Sequence, residues 1–298
     1  MKYTFRRNFY NPFKIIQFAA AKGWLNMIPD KLYLKIMFYA CCRKKLDFED
    51  PKLFNEKLQY LKLYDRKPEY TNYVDKFEVR KYIKRVIGDD YLIPLIGVYN
   101  NFDEINFEKL PDKFVLKCTH DSGGVIICED KNKFNQFQAK KTINSHLKKN
   151  YFYYGREWPY KNIPPRIICE QFIETPDGKA PTDYKFMCFN GQPEYIQVHT
   201  DRFGPMYTKD YYDINWKKTN IRQGVPNSDM ILPRPKNLGV MIDIAKKLSE
   251  KIPHSRIDLY EQDGKIYFGE ITLYPNSGFK NFINEDDDYL MGQLIQLP

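Results

Sequence analysis

The stretch that most constrains this chain is residues 256–278, RIDLYEQDGKIYFGEITLYPNSG. Residues 257–261 and 265–271 are rich in β-branched and aromatic side chains, and Asp263-Gly264 marks a turn, so the pattern predicts a β-hairpin. Each arm carries one carboxylate, Asp258 and Glu270. A strict two-residue turn pairs 258 with 269 and sends the acids to opposite faces. We expect instead a three-residue loop, 262–264 with Gly264 left-handed, which pairs 258 with 268. Glu270 then lies diagonally from Asp258 on the same face, roughly 7–8 Å away between α-carbons. That span suits two oxygen ligands sharing small hard cations, since Mg²⁺ takes one or two carboxylates plus substrate phosphates. The alternative is a surface hairpin with solvated acids.

Charge is unevenly placed. Residues 1–45 hold ten Lys and Arg against one acid, Asp30, and the rest of the chain balances 37 basic against 37 acidic groups. A nucleic-acid binder spreads its basic residues over a folded face, so no nucleic-acid partner is expected. Here the basic residues accompany Phe5, Phe9, Tyr10, Phe13, Trp24, Tyr33, Phe38 and Tyr39. Basic plus aromatic side chains on short helices suit peripheral contact with an anionic membrane; a solvated rim on a helical segment is the other reading. No run of 18 apolar residues exists, and the short apolar run at 15–21 is broken by Lys22, so neither a spanning helix nor a secretion signal is expected. A retained cytoplasmic start follows. The six cysteines lack paired spacing and His partners, which points to reduced core thiols rather than zinc.

In chain order, residues 12–40 read as one or two helices interrupted at Pro29-Asp30, and 51–63 and 70–87 as further helices. Residues 91–94, 97–99 and 113–118 read as strands. The glycine loop Thr119-His120-Asp121-Ser122-Gly123-Gly124 then leads to a strand at 125–128. Backbone amides of such a loop cradle an anion, with Lys117 adding charge at its edge, although an ordinary hairpin turn has the same appearance. A helix over 133–148, a strand over 166–173, a hairpin of 183–189 and 194–198 around Asn190-Gly191, and a helix over 236–251 complete the pattern.

This ordered set resembles the ATP-grasp enzymes, most of all the TupA-like branch linked to teichuronopeptide and surface-polysaccharide synthesis. The residues that carry the likeness are PKLFNEKLQYLKLYDR at 51–66, Lys117 with its glycine loop, Glu170-Gln171-Phe172-Ile173, Asp183-Tyr184-Lys185-Phe186, and the hairpin from Arg256. It covers about residues 50 to 285. The resemblance implies an α+β fold in which two lobes with antiparallel sheets clasp ATP. The implied division is a basic, aromatic helical segment at 1–70, a connecting region at 71–110, a small lobe at 111–175, and a large lobe with the metal site at 176–298.

Carried over by position, Lys76 and Lys117 contact the nucleotide phosphates, and His120, Ser122, Gly123 and Gly124 belong to the closing loop. Glu170, Gln171, Phe172 and Ile173 supply the adenine hinge, and Asp177 is a ribose candidate. Lys185 neutralises the transferring phosphoryl group, and Arg202 and Arg256 sit near the γ-phosphate or the acceptor carboxylate. Asp258 and Glu270 hold Mg²⁺. Where many relatives have Glu-x-Asn, this chain has Glu270-Ile271-Thr272, so Thr272, a poorer ligand, or Asn276 is left to complete the site. The implied activity is an ATP- and Mg²⁺-dependent carboxylate–amine ligase working through an acyl phosphate. It would couple an amine or amino acid to a uronic acid of a capsule, lipopolysaccharide or teichuronic-type glycan precursor. A glycan kinase and a glycosyltransferase, the latter suggested by the Asp286-Asp287-Asp288 run, are the alternatives; that run reads as a solvated acidic turn in a polar tail.

Overall fold

The computed structural model describes residues 11–175, 181–201 and 206–298. It is an α+β architecture built around two antiparallel sheets. A helical hairpin comes first. Helix α1 (Pro12–Ala21) starts where the Asn11 side chain accepts from the Phe13 amide at 3.1 Å, and α2 (Asp30–Cys42) stops at Arg43, whose φ of 62° leaves the helical region. The interruption expected at Pro29-Asp30 is longer, running over residues 22–29 and ending where α2 starts at Asp30. Helix α3 (Phe54–Tyr64) is capped by Glu56, whose carboxylate accepts from the amides of Lys52 and Leu53, both at 3.1 Å.

The helix expected over 70–87 is two helices, α4 (Glu69–Val74) and α5 (Val79–Val86). Asp75 breaks the run: its backbone is extended, and its carboxylate accepts from the amides of Phe77 at 2.8 Å and Glu78 at 3.3 Å. The break frees the Lys76 amide to bond the Thr119 carbonyl at 3.1 Å, which ties this connection to the glycine loop.

The first sheet has the order β1-β4-β2-β3, with β1 (Leu95–Tyr99), β2 (Phe114–Cys118), β3 (Val125–Cys128) and β4 (Ile167–Gln171). Residues 91–94, expected as a strand, instead precede β1 as a turn. One face packs Phe114, Leu116, Cys118, Ile167 and Cys169 with Ala139 and Ile143 of α6 (Gln136–Leu147). Alternation leaves Lys117 and Glu170 on the other face. A short helix, α7 (Phe152–Gly155), lies between α6 and β4.

The second sheet has the order β7-β6-β5-β8-β9, with β5 (Asp183–Phe189), β6 (Gln192–Thr200), β7 (Thr208–Asp213), β8 (His254–Gln262) and β9 (Lys265–Thr272). Its apolar face holds Phe186, Cys188, Ile196, Val198, Ile257 and Leu259 against α8 (Leu238–Leu248) in the largest core. Strand β7 has no counterpart in the sequence reading, because Thr-Lys-Asp-Tyr-Tyr-Asp offers little apolar alternation. The acidic run at 286–288 is not a free turn. It opens α9 (Glu285–Leu294), where negative charge suits the helix N-terminus, and Asp288 is buried and accepts from the Asn55 amide at 3.1 Å.

Candidate active site

The hairpin of β8 and β9 turns on two residues, with Asp263 at φ 50° and Gly264 at φ 79°, and Gln262 pairs with Lys265. The expected three-residue loop is therefore absent. Left uncorrected, that turn would send the two acids to opposite faces. A bulge at Gly269 shifts the register between Leu259↔Phe268 and Asp258↔Glu270, so the acids become direct cross-strand neighbours. A side chain at 269 would meet the Asp258 carbonyl oxygen and the Tyr260 ring, both at 3.0 Å, closer than ordinary contact, so the bulge favours glycine.

The same register runs across the whole sheet. Tyr211, Gln197, Lys185, Asp258 and Glu270 form one cross-strand row on the polar face. Gln197 Nε2 donates to the Tyr211 hydroxyl at 2.6 Å, and the buried Lys185 ammonium bonds both Asp183 and Asp258. Arg256, one step along β8, donates through Nε to Asp258 Oδ1 at 2.6 Å. Its Nη2 lies 2.7 Å from Asp258 Oδ2, 2.9 Å from Glu270 Oε1 and 3.1 Å from Thr272 Oγ1. One cationic nitrogen thus sits at the focus of three oxygens from three residues. Burial alone would raise the Asp258 carboxyl, but Arg256 and Lys185 outweigh it and hold the group below the usual range. Asp183 moves the other way, because burial dominates there. Asn276, in the turn Pro275–Gly278, adopts φ 52°, a conformation glycine takes more readily, and its amide donates to Gln223 at 3.3 Å.

The polar face of the first sheet carries a second charged cluster. Lys117 Nζ donates to Glu170 Oε2 at 2.6 Å, and Arg80 of α5 donates to Glu170 Oε1 at 3.1 Å, so the Glu170 side chain orients two cations. The Gln171 backbone N–H donates to the Pro94 carbonyl at 3.0 Å, and the ring of Phe172 lies under Lys113 at 5.9 Å. Ile173 follows beyond the end of β4.

The glycine loop has an internal frame. Asp121 accepts from the Gly124 amide at 3.1 Å and from the His146 ring, and His120 Nε2 lies 3.2 Å from the His146 carbonyl. A side chain at Gly124 would collide with Cys118 Sγ at 2.7 Å. Lys76 reaches this loop and donates to the Asp121 carbonyl. Ser122 and Gly123 lie exposed at its tip, and Tyr151 lies near enough to Ser122 and to Glu270 to feel both. Asp177 and Arg202 lie outside the described residues.

A family model described as TupA-like ATPgrasp matches residues 56–296. The chain belongs to the TupA-like ATP-grasp family. Among solved structures, this family member is similar to the D-alanine–D-alanine ligase of Helicobacter pylori, at 15% identity and a TM-score of 0.45 over 83% of this chain and 68% of that one. It is also similar to the ATP-complexed D-alanine–D-alanine ligase of Bacillus anthracis, at 18% identity and a TM-score of 0.39 over 68% of this chain. It spans 55% of the length of that ligase. A RimK-domain ATP-grasp protein of Sphaerobacter thermophilus matches at 11% identity and a TM-score of 0.41, over 76% of this chain and 69% of that one. No match was found among curated proteins.

The donor set fits the Mg²⁺ and ATP that an ATP-grasp protein implies. Among the described residues no three His, Cys, Asp or Glu side chains converge on one point. Two carboxylates and a hydroxyl leave the remaining positions to phosphate oxygens and water, the incomplete shell that Mg²⁺ prefers. Arg256 Nη2 marks where their oxygens aim.

Several residues of this site escape sequence reading. Gln197, Lys209 and Tyr211 join it through register alone, and Arg80 reaches it from a helix far away in sequence. The alternation of Asp183 with Lys185, and of Gln197 with His199, is the one signal that places any of them on a shared face.

Proposed function

We propose that the chain is an ATP- and Mg²⁺-dependent carboxylate–amine ligase, acting on a uronic acid of a surface-glycan precursor and joining it to an amine or amino acid. The observation that carries this reading is the convergence of Asp258, Glu270 and Thr272 on a single cationic position, flanked by the buried Lys185. Phosphoryl transfer needs positioning and charge stabilisation rather than a covalent nucleophile, and this row offers both. When bound, Mg²⁺-ATP supplies the phosphoryl group that converts a carboxylate into an acyl phosphate.

The chain's own residues divide the rest of the work. Asp258, Glu270 and Thr272 hold the metal. Lys185, fixed by two carboxylates, presents its charge to the equatorial phosphoryl oxygens. Arg256 would turn from the acids to the γ-phosphate or the acceptor carboxylate. Lys76 and Lys117 take the other phosphates, Lys117 held in place by Glu170, and residues 170–173 frame the adenine. A cavity of about 550 Å³ beside Asn276, lined also by Tyr151, Tyr154, Lys280 and Gln17, receives the acceptor, where aromatic faces, amides and a cation match an acidic sugar.

The test is ADP release measured over a panel of amines and uronate-bearing glycans, with mass spectrometry of the product. An amide product with free phosphate is expected. A phosphorylated glycan would instead assign a kinase, and sugar transfer without ADP would assign a glycosyltransferase.

A further inference from the structure

The outward side of the α1–α2 hairpin is apolar and basic at once. Trp24 is 71% exposed and Met27 94%, both in the turn between the helices, and Ile15, Phe18, Leu32 and Tyr39 extend the apolar surface along them. Lys14, Lys22, Lys31 and Lys35 are interleaved and exposed. Helical spacing sets Lys14, Phe18 and Lys22 on one face of α1, and Leu32, Lys35 and Tyr39 on one face of α2. Lys22 lies 5.5 Å over the Phe18 ring, which in turn meets Trp24 edge-on at 5.8 Å. Within residues 11–45 seven Lys and Arg face one acid, and that acid, Asp30, is taken by Arg66 at 2.9 Å.

The turn is held rigidly. Arg156, itself buried, donates to the carbonyls of Leu25, Asn26 and Ile28 at 3.1, 3.0 and 3.1 Å, so Trp24 and Met27 are presented by a preformed frame. Charge decides the occupant. A second copy docked face to face would bring like charge against like charge, whereas an anionic lipid surface supplies what the lysines lack. We propose that this hairpin docks on an anionic phospholipid bilayer, with Trp24 and Met27 entering the headgroup layer and the lysines meeting lipid phosphates.

The geometry adds a reason for such docking. Gln17 of α1 and Cys41 of α2 also line the 550 Å³ cavity beside Asn276. The element that meets the membrane is therefore a wall of the candidate acceptor site, and a lipid-carried glycan is delivered where it is needed. That last step rests on the ligase reading; the docking surface does not.

The experiment uses the full chain with vesicles of phosphatidylcholine alone or with roughly 30 mol % phosphatidylglycerol. Co-sedimentation is expected with the anionic vesicles only, and lost at about 1 M salt. Tryptophan emission should shift to the blue, and Trp24→Phe should remove the shift, since Trp158 and Trp216 are largely covered. Lys22→Gln with Lys35→Gln should weaken partitioning roughly 30-fold. Equal binding to neutral vesicles, no binding, or binding unchanged in Trp24→Ala/Met27→Ala would overturn the proposal. So would a dimer in sedimentation equilibrium that this pair dissolves without any vesicle binding. Circular dichroism checks that these exposed substitutions leave the fold intact. ATP turnover, read in the same samples, is expected to be unchanged. Absence of turnover in every sample would count against the ligase reading and leave the docking result standing.

Discussion

Gly269 carries more of the site than any charged residue beside it. The bulge it permits is what brings Asp258 and Glu270 onto one face. Gly269→Val is expected to destabilise the fold by about 1–3 kcal/mol through crowding of the Asp258 carbonyl and Tyr260. It should also lower ATP turnover roughly 100-fold by displacing Glu270, out of proportion to the stability loss. Thermal denaturation and ADP release measured together check this, and turnover that falls only as far as the folded fraction would remove the bulge from the argument.

Lys209 offers a second test at this scale. It is buried on β7 and donates to Gln223 at 3.1 Å, and burial, with repulsion from Lys280 and Arg256, lowers its pKa to about 7. The folded state therefore holds fewer protons than the unfolded chain between pH about 7 and the ordinary lysine value. Over that window this group makes stability rise with pH, by at most about 1.4 kcal/mol per unit. Lys209→Met should flatten that slope in urea melts taken from pH 7 to 9. An unchanged slope would show that Lys209 keeps an ordinary pKa.

At the scale of elements, the hairpin α1–α2 depends on one distant side chain. Arg156 satisfies three carbonyls of the turn and stacks 4.3 Å over Tyr33, so Arg156→Ala leaves several acceptors bare and is expected to cost about 2–4 kcal/mol. Limited proteolysis should then cut first within residues 22–29; cleavage elsewhere would locate the weak point in another element. The elements also show what a sequence reveals. The strands of the two hairpins, the helix over 236–251 and the break at Pro29 were legible, because periodicity and turn residues are local signals. The bulge, strand β7 and the division of α4 from α5 were not. Asp75 splits a periodic helix by capping with its own side chain, and β7 is polar because Lys209 and Tyr211 lie on the polar row of the sheet. The two acids were found by composition, but the face they share was reached by a different loop and a different register from those expected.

For the whole molecule, each of the two sheets has a polar face, with Lys117 and Glu170 on one and the row from Tyr211 to Glu270 on the other. A ligand bridging both should stabilise the chain as a unit. Mg²⁺ with a non-hydrolysable ATP analogue at about 100 times its Kd is expected to add about 2.7 kcal/mol, seen as a single shifted melting transition that EDTA reverses. A shift unaffected by EDTA would separate the nucleotide from the acids. The position of Arg256 adds a condition to that measurement. Its guanidinium is tethered to the strand it neutralises and never dilutes away, so incoming magnesium meets an incumbent. At the proposed metal site, the affinity expected for the metal alone is its intrinsic value scaled by the fraction of molecules whose arm has swung clear. A triphosphate gives that arm somewhere else to rest, and by reciprocity each of the two ligands then recruits the other.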